Sequence, residues 1–141
     1  MKVKKDNYLI TDDKNNIDIE YVIYNLHKTY WGKHRKREAI IRSIENSIFI
    51  SLFYNMKQIG FSRIVTDNAT FAWIADVFVD EKYRGRGLGK WLVKNTINHP
   101  DIKDIELQLL KTKDAHGLYE RFGFTKDDVS DCLTRRKCNL D

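Results

Sequence analysis

One proline, Pro100, and two cysteines, Cys132 and Cys138, are all that the chain holds of either residue. With neither a Pro-rich stretch, an internal repeat nor a low-complexity linker to mark a boundary, a single domain over residues 1–141 is expected. Both cysteines lie near the end, without the paired spacing of a zinc site or the density of a disulfide framework. That pattern points to reduced thiols and to no bound metal. Also absent is any run approaching the roughly 18 uncharged apolar residues of a membrane helix. The start, Met1-Lys2-Val3-Lys4-Lys5-Asp6, leads into no apolar leader, so a cytoplasmic protein without membrane association is expected. Acidic charge is in deficit, with 20 Asp and Glu against 25 Lys and Arg. The resulting net charge of +5 favours anionic ligands, yet the signs are interspersed rather than gathered in one block. A phosphate-bearing cofactor accounts for that balance as readily as nucleic acid does, and no nucleic-acid partner is expected.

What is present is periodicity. Ile19, Val22, Ile23, Leu26 and Tyr30 follow the spacing of one helix face, with Asp18 placed to cap it, and Ile40, Ile41 and Ile44 suggest a second, shorter helix. The period then drops to two. Ile48, Ile50, Leu52 and Tyr54 alternate, Asn55 to Lys57 make a turn, Ile59 and Phe61 open another strand, and Asp67-Asn68 makes the next turn. Phe71, Trp73, Ala75, Val77 and Val79 alternate on one face of a long third strand, completing an antiparallel meander. Leu88, Trp91 and Leu92 form a helical face after a glycine-rich loop, and alternation returns at Ile105, Leu107 and Leu109. Ala115, Leu118, Tyr119 and Phe122 give a short helix closed by Gly123, and a last strand is expected around Leu133 to Lys137. The order predicts an α/β protein with a mixed sheet covered by helices.

The most informative segment is Arg84-Gly85-Arg86-Gly87-Leu88-Gly89-Lys90, three glycines within five residues joining a strand to a helix. Such a junction suits an anion: the first helical N–H groups lack internal partners, the helix dipole adds positive potential, and glycine lets a diphosphate approach the backbone. Lys82, Arg84, Arg86 and Lys90 add charge. A dinucleotide loop starting at Gly85 would need glycine where Lys90 stands, and a nucleoside-triphosphate loop would need Ser or Thr where Trp91 stands. What is left is a phosphate loop of another kind, or a glycine-rich turn carrying solvated basic residues.

The sequence resembles the GNAT superfamily of N-acetyltransferases. Arg84, Gly87 and Gly89 fill the family's Gln/Arg-x-x-Gly-x-Gly/Ala motif, and Ala115 to Phe124 looks like its second signature, A-x-x-x-Y-x-x-x-G-F. The resemblance runs over about residues 6 to 137 and is strongest from Trp73 to Phe124. It implies an acyl-CoA N-acyltransferase fold with a mostly antiparallel sheet and a splay after the fourth strand. It also implies acetyl-CoA as cofactor, a small-molecule or peptide amine as acceptor, and direct attack of that amine on the thioester. The diphosphate falls on Arg84, Gly85, Arg86, Gly87, Leu88, Gly89 and Lys90, and the pantetheine arm on Val77, Phe78 and Val79, pairing as an extra strand does. A main-chain N–H near Val79 becomes the oxyanion donor, an effect worth about 2.7–4 kcal/mol when one donor is lost. Where the family often has Asn, this chain has Thr112, placed beside the cofactor. Family members often dimerise, and a homodimer is an expectation of the same kind.

Tyr119 holds the position of the family's proton donor to the departing thiolate, although its spacing also fits the core-facing stripe of its helix. Asp76, the one acid in an otherwise apolar strand, is the candidate base for an amine of pKa about 10.4. It reads equally as an Asp hydrogen-bonded to backbone at a strand irregularity. Tyr30 and Trp31 fall where the family builds the acceptor pocket and suit an ammonium or aryl amine, or plain packing. His116 is set aside as a base, and His34 to Arg37 reads as a solvated helix start or as a selector of acidic acceptors. Two other classes stay open: a module that senses acetyl-CoA without turnover, and, from the basic pI alone, a nucleic-acid-binding domain.

Overall fold

The computed structural model describes residues 1–126 and 132–137. Six strands form one sheet in chain order, all antiparallel except the last pair. Strand β1 (Lys2–Lys5) and β2 (Tyr8–Thr11) make an N-terminal hairpin that the sequence pattern did not announce. Helix α1 (Ile19–His27) and helix α2 (Arg37–Glu45) follow, and then the meander of β3 (Ile48–Tyr54), β4 (Lys57–Thr66) and β5 (Ala72–Val79). A single 3-10 turn, Glu81–Tyr83, leads through the glycine loop to α3 (Leu88–Ile97), β6 (Gln108–Leu110) and the short α4 (His116–Glu120). Tyr30 lies beyond the end of α1, and residues 132–137 form no strand, so the expectation of one at Leu133 to Lys137 is corrected. Cys132 is exposed, and Cys138 lies outside the described residues. Among the described residues no helix is long and apolar enough to cross a membrane.

Both faces of the sheet are covered, which is why β3 reads as a nearly continuous apolar run. On one face Leu88 and Leu92 of α3 pack over Ile10, Ile50, Leu52 and Ile64. On the other, Val22 and Leu26 of α1 and Ile40 of α2 pack over Phe49, Phe61 and Phe78. Ile59 and Phe61, two residues apart, end in different cores because the β3–β4 register slips by one next to Gly60. A bulged residue flips every side chain beyond it to the other face.

Asp18 anchors the start of α1, its Oδ1 accepting from Tyr21 N at 3.0 Å, while its own N–H donates to the buried Gln58 Oε1 at 2.8 Å. Asp18→Ala removes the side-chain cap alone. It is expected to cost about 1 kcal/mol, read as a melting temperature lower by a few degrees in a thermal scan.

Candidate active site

Strand β5 carries the site because it changes partners along its length. Ala72, Trp73 and Ile74 pair in parallel with Gln108, Leu109 and Leu110, and there the ladder to β6 stops. Just beyond it, Asp76 adopts φ +54° and the β4–β5 register slips by one. A non-glycine residue held in the left-handed region marks a strained position. The bulge splits the single face expected from Phe71 to Val79. Trp73 and Ala75 look into an open cleft, whereas Val79, and Val77 while still lining the cleft, pack on the α3-side core. The splay follows the strand expected, which is fifth in the chain because of the N-terminal hairpin. Past the bulge, Asp80 N donates to Ile59 O on the β4 side, and strand alternation turns the Val79 peptide groups the other way. Val79 O accepts from Arg84 Nε at 3.4 Å rather than from a neighbouring strand, and Phe78 buries its ring in the α1–α2 core.

The cleft, about 920 Å³, lies between β5, the segment from β6 to α4, and the turn after α1. Tyr119 closes one wall. Only 9 % exposed, it sits edge-on to Phe124 at 6.0 Å, and its hydroxyl makes no hydrogen bond to the described residues. Burial, helped by the nearby Asp114 and Tyr30, pushes its phenol up to about 12, so it holds its proton at neutral pH. Thr112 Oγ1 accepts from Ala115 N at 3.0 Å, fixing the turn into α4, and Tyr30 Oη accepts from Lys113 N at 3.1 Å. Tyr30 and Trp31 stand edge to face at 5.1 Å, half-exposed at the mouth, and His116 is exposed on the rim.

Asp76 does not stand free in this cleft. Its Oδ2 accepts from Arg35 Nη1 at 2.9 Å and from Arg63 Nε at 2.8 Å, and its Oδ1 from Trp31 Nε1 at 3.1 Å. The irregularity read from the sequence exists, but the partners are side chains, not backbone. Both carboxylate oxygens are occupied by donors, a poor starting point for a proton acceptor. Sequence reasoning took Arg35 only as part of the run His34 to Arg37, a solvated helix start or a selector of acidic acceptors, and missed Arg63, whose signal was a cation in the middle of an apolar strand.

The glycine loop lies outside the cleft lining, at the start of α3. Gly85 and Gly87 have φ +80° and +76°, conformations that a side chain rarely adopts. Gly87 caps α3 without a side-chain hydrogen bond, and the first turn of the helix contains no acid. At all three glycines a Cβ would meet nothing within 4 Å, and Gly89 differs from the other two in its ordinary φ. Neither strain nor crowding inside the protein demands glycine at that position. Arg86 folds back, donating to Tyr8 Oη at 3.2 Å over the Tyr83 ring, while Arg84 and Lys90 are exposed and Leu88 is buried.

A mixed sheet, opened after its longest parallel-flanked strand and followed by a glycine-built helix start, defines an acyltransferase scaffold. Residues 45–126, more than half of the chain, match the acetyltransferase (GNAT) domain family, and the chain belongs to it. It is 32% identical over 102 residues to the uncharacterized N-acetyltransferase ycf52 of Pyropia yezoensis, covering 69% of this chain and 59% of that one. To the spermine/spermidine N(1)-acetyltransferase of Bacillus subtilis it is 33% identical over 87 residues, 53% of this chain and 57% of that one. The chain thus spans little more than half the length of these two relatives. A GNAT-family protein of Xanthomonas campestris pv. campestris has the same fold, with a TM-score of 0.87, 35% identity and 93% of each chain covered.

Proposed function

We propose that the protein transfers the acetyl group of acetyl-CoA directly to a primary amine held in the cleft. The observation that carries this reading is Gly89: the missing side chain serves no internal purpose, yet it keeps the first turn of α3 open to a diphosphate. The residues present fit the cofactor. In this reading N–H groups at the start of α3, with Arg84 and Lys90 and with Arg86 once it leaves Tyr8, hold its phosphates, and the edge from Val77 to Val79, beyond the end of the β6 ladder, its pantetheine arm. When bound, acetyl-CoA supplies an activated thioester acyl group. The Val79 N–H, turned away from β4, is the oxyanion donor in this reading. Tyr119 keeps a proton at Oη for the departing sulfur. Tyr30 and Trp31 hold the acceptor, Thr112 orients the α4 turn, and a water takes the amine proton. Asp76 acts here as an anchor for Trp31, Arg35 and Arg63. The family's general use of amines, spermidine among them in the Bacillus subtilis relative's name, supports an amine acceptor. The cytoplasm, where acetyl-CoA is made and used, is the compartment proposed.

The test is calorimetric binding of acetyl-CoA followed by transfer assays over an amine panel with Tyr119→Phe as control. The variant is expected to lose roughly 10²-fold in kcat while its affinity for acetyl-CoA stays within about threefold. Because Tyr119 titrates only near 12, its protonated form and the stability it confers are fully present below the ordinary phenol value. The wild-type rate should therefore show no basic-limb loss from this group below about pH 11. Binding without transfer would leave a sensor of acetyl-CoA, and no binding by the folded protein would remove the enzyme reading.

A further inference from the structure

Arg35 and Arg63 share one carboxylate, and that arrangement leaves the floor of the cleft one negative charge short. Asp76 is all but buried, its side chain 2% exposed, and gives one oxygen to both guanidiniums. Its second oxygen is taken by Trp31. Arg63 spends another donor on the neutral Ser47 Oγ at 3.1 Å, and among the described residues no other carboxylate pairs with either arginine. A guanidinium retains its charge at every accessible pH, so the imbalance is permanent. Both line the cleft, and Arg35 is the more accessible of the two. Its side chain is 27% exposed against 13% for Arg63, it lines the cleft beside Tyr30 and Trp31, and Asp76 engages only its Nη1. The rest of the lining has the same bias in balance, its acids Asp114 and Glu120 being outnumbered by Lys111, Lys113, Lys126 and Arg136, with Lys111 over the Trp73 ring and Lys113 over that of Tyr30.

We propose that the acceptor is an amine that also carries an oxyanion, a carboxylate or a phosphate, and that Arg35 is the residue that holds it. The assignment rests on the acetyl-transfer reading above. In that reading the cofactor's diphosphate lies at α3, outside the cleft lining, so it does not supply the charge that the cluster lacks. An oxyanion on Arg35 completes the cluster with a planar, charge-assisted pair. Its amine then lies over the β5 bulge, on the same side as Tyr119. A polycation such as spermidine meets the opposite field and is a poor fit.

The experiment compares matched amines: L-phenylalanine with L-phenylalaninamide, O-phosphoethanolamine with ethanolamine, and spermidine alone. In each pair kcat/KM is expected to be at least about tenfold higher for the anionic member of the chemistry that the site takes, and the pair with the larger ratio separates carboxylate from phosphate. Arg35→Gln should shrink that ratio to below about threefold, and Arg35→Lys, which keeps the charge but not the fork, should give an intermediate ratio. Melting temperature and acetyl-CoA affinity are measured for both variants, and the lysine variant carries the comparison where the glutamine variant unfolds. Preference for neutral amines or spermidine overturns the assignment, as does a ratio indifferent to Arg35, or no turnover of any anionic amine by protein that binds acetyl-CoA. Absence of acetyl-CoA binding overturns both readings; binding with no anionic preference overturns this one alone.

Discussion

Replacing Gly89 by leucine is expected to weaken acetyl-CoA binding at least about a hundredfold while leaving the protein as stable as before, or slightly more so. The two halves of this result have separate causes. Gly89 sits in the first turn of α3 with ordinary helical φ and open space around its missing Cβ, so leucine fits without moving a neighbour. Leucine also favours the helix over glycine by roughly 0.5–1 kcal/mol, partly by restricting the unfolded chain. The bulk that costs the fold nothing stands where the cofactor's phosphates must approach the backbone. Gly87 makes a weaker probe, because at φ +76° any side chain adds about 1–2 kcal/mol of strain and a loss of binding there is confounded with a loss of fold. Calorimetry against acetyl-CoA and free CoA, with a thermal scan of the same samples, separates the two halves. Unchanged affinity in Gly89→Leu places the diphosphate elsewhere.

The difference between these two glycines marks what the sequence makes legible. The loop was readable because its function is a demand on backbone, and residue identity records such demands directly: three glycines, then an amphipathic helix. The meander was readable because β3 and β4 are apolar runs bounded by turns and β5 alternates buried with half-buried residues. The N-terminal hairpin was not, because Lys2, Lys4 and Lys5 leave β1 almost no apolar pattern, and the strand is held by its ladder to β2. Nor was either bulge, since one inserted residue leaves composition unchanged while reversing the faces beyond it. That is why Trp73 and Val79 looked like one stripe. The cluster beneath the cleft was least accessible: Asp76 drew notice as an acid among apolar residues, but its partners Trp31, Arg35 and Arg63 lie 45, 41 and 13 positions away and meet it only through the fold. An isolated acid in a strand suggests a base, and the same acid between two guanidiniums suggests a structural anion.

Asp76→Asn distinguishes these two roles. As an anchor, Asp76 neutralises charges on Arg35 and Arg63, which are only 27% and 13% exposed, and removing it leaves two guanidiniums facing each other across a neutral amide. Breaking a buried pair from one side costs about 3–5 kcal/mol, and partial exposure of Arg35 puts the expectation at the lower end, near 3 kcal/mol. For a domain of this size that is a melting temperature lower by roughly 10 °C. The bulge itself should survive, because Asn adopts left-handed φ as readily as Asp, but Trp31 loses a charged acceptor at the cleft mouth. The kinetic damage should then appear mainly in KM for the amine, with kcat within about tenfold of wild type. A catalytic base predicts the reverse, a kcat lower by about 10²–10⁴ in a protein that melts where the wild type does. The amide is nearly isosteric with the carboxylate, so the loss tracks charge rather than volume. Thermal melts and saturation kinetics on one preparation decide between anchor and base, since the roles move different observables.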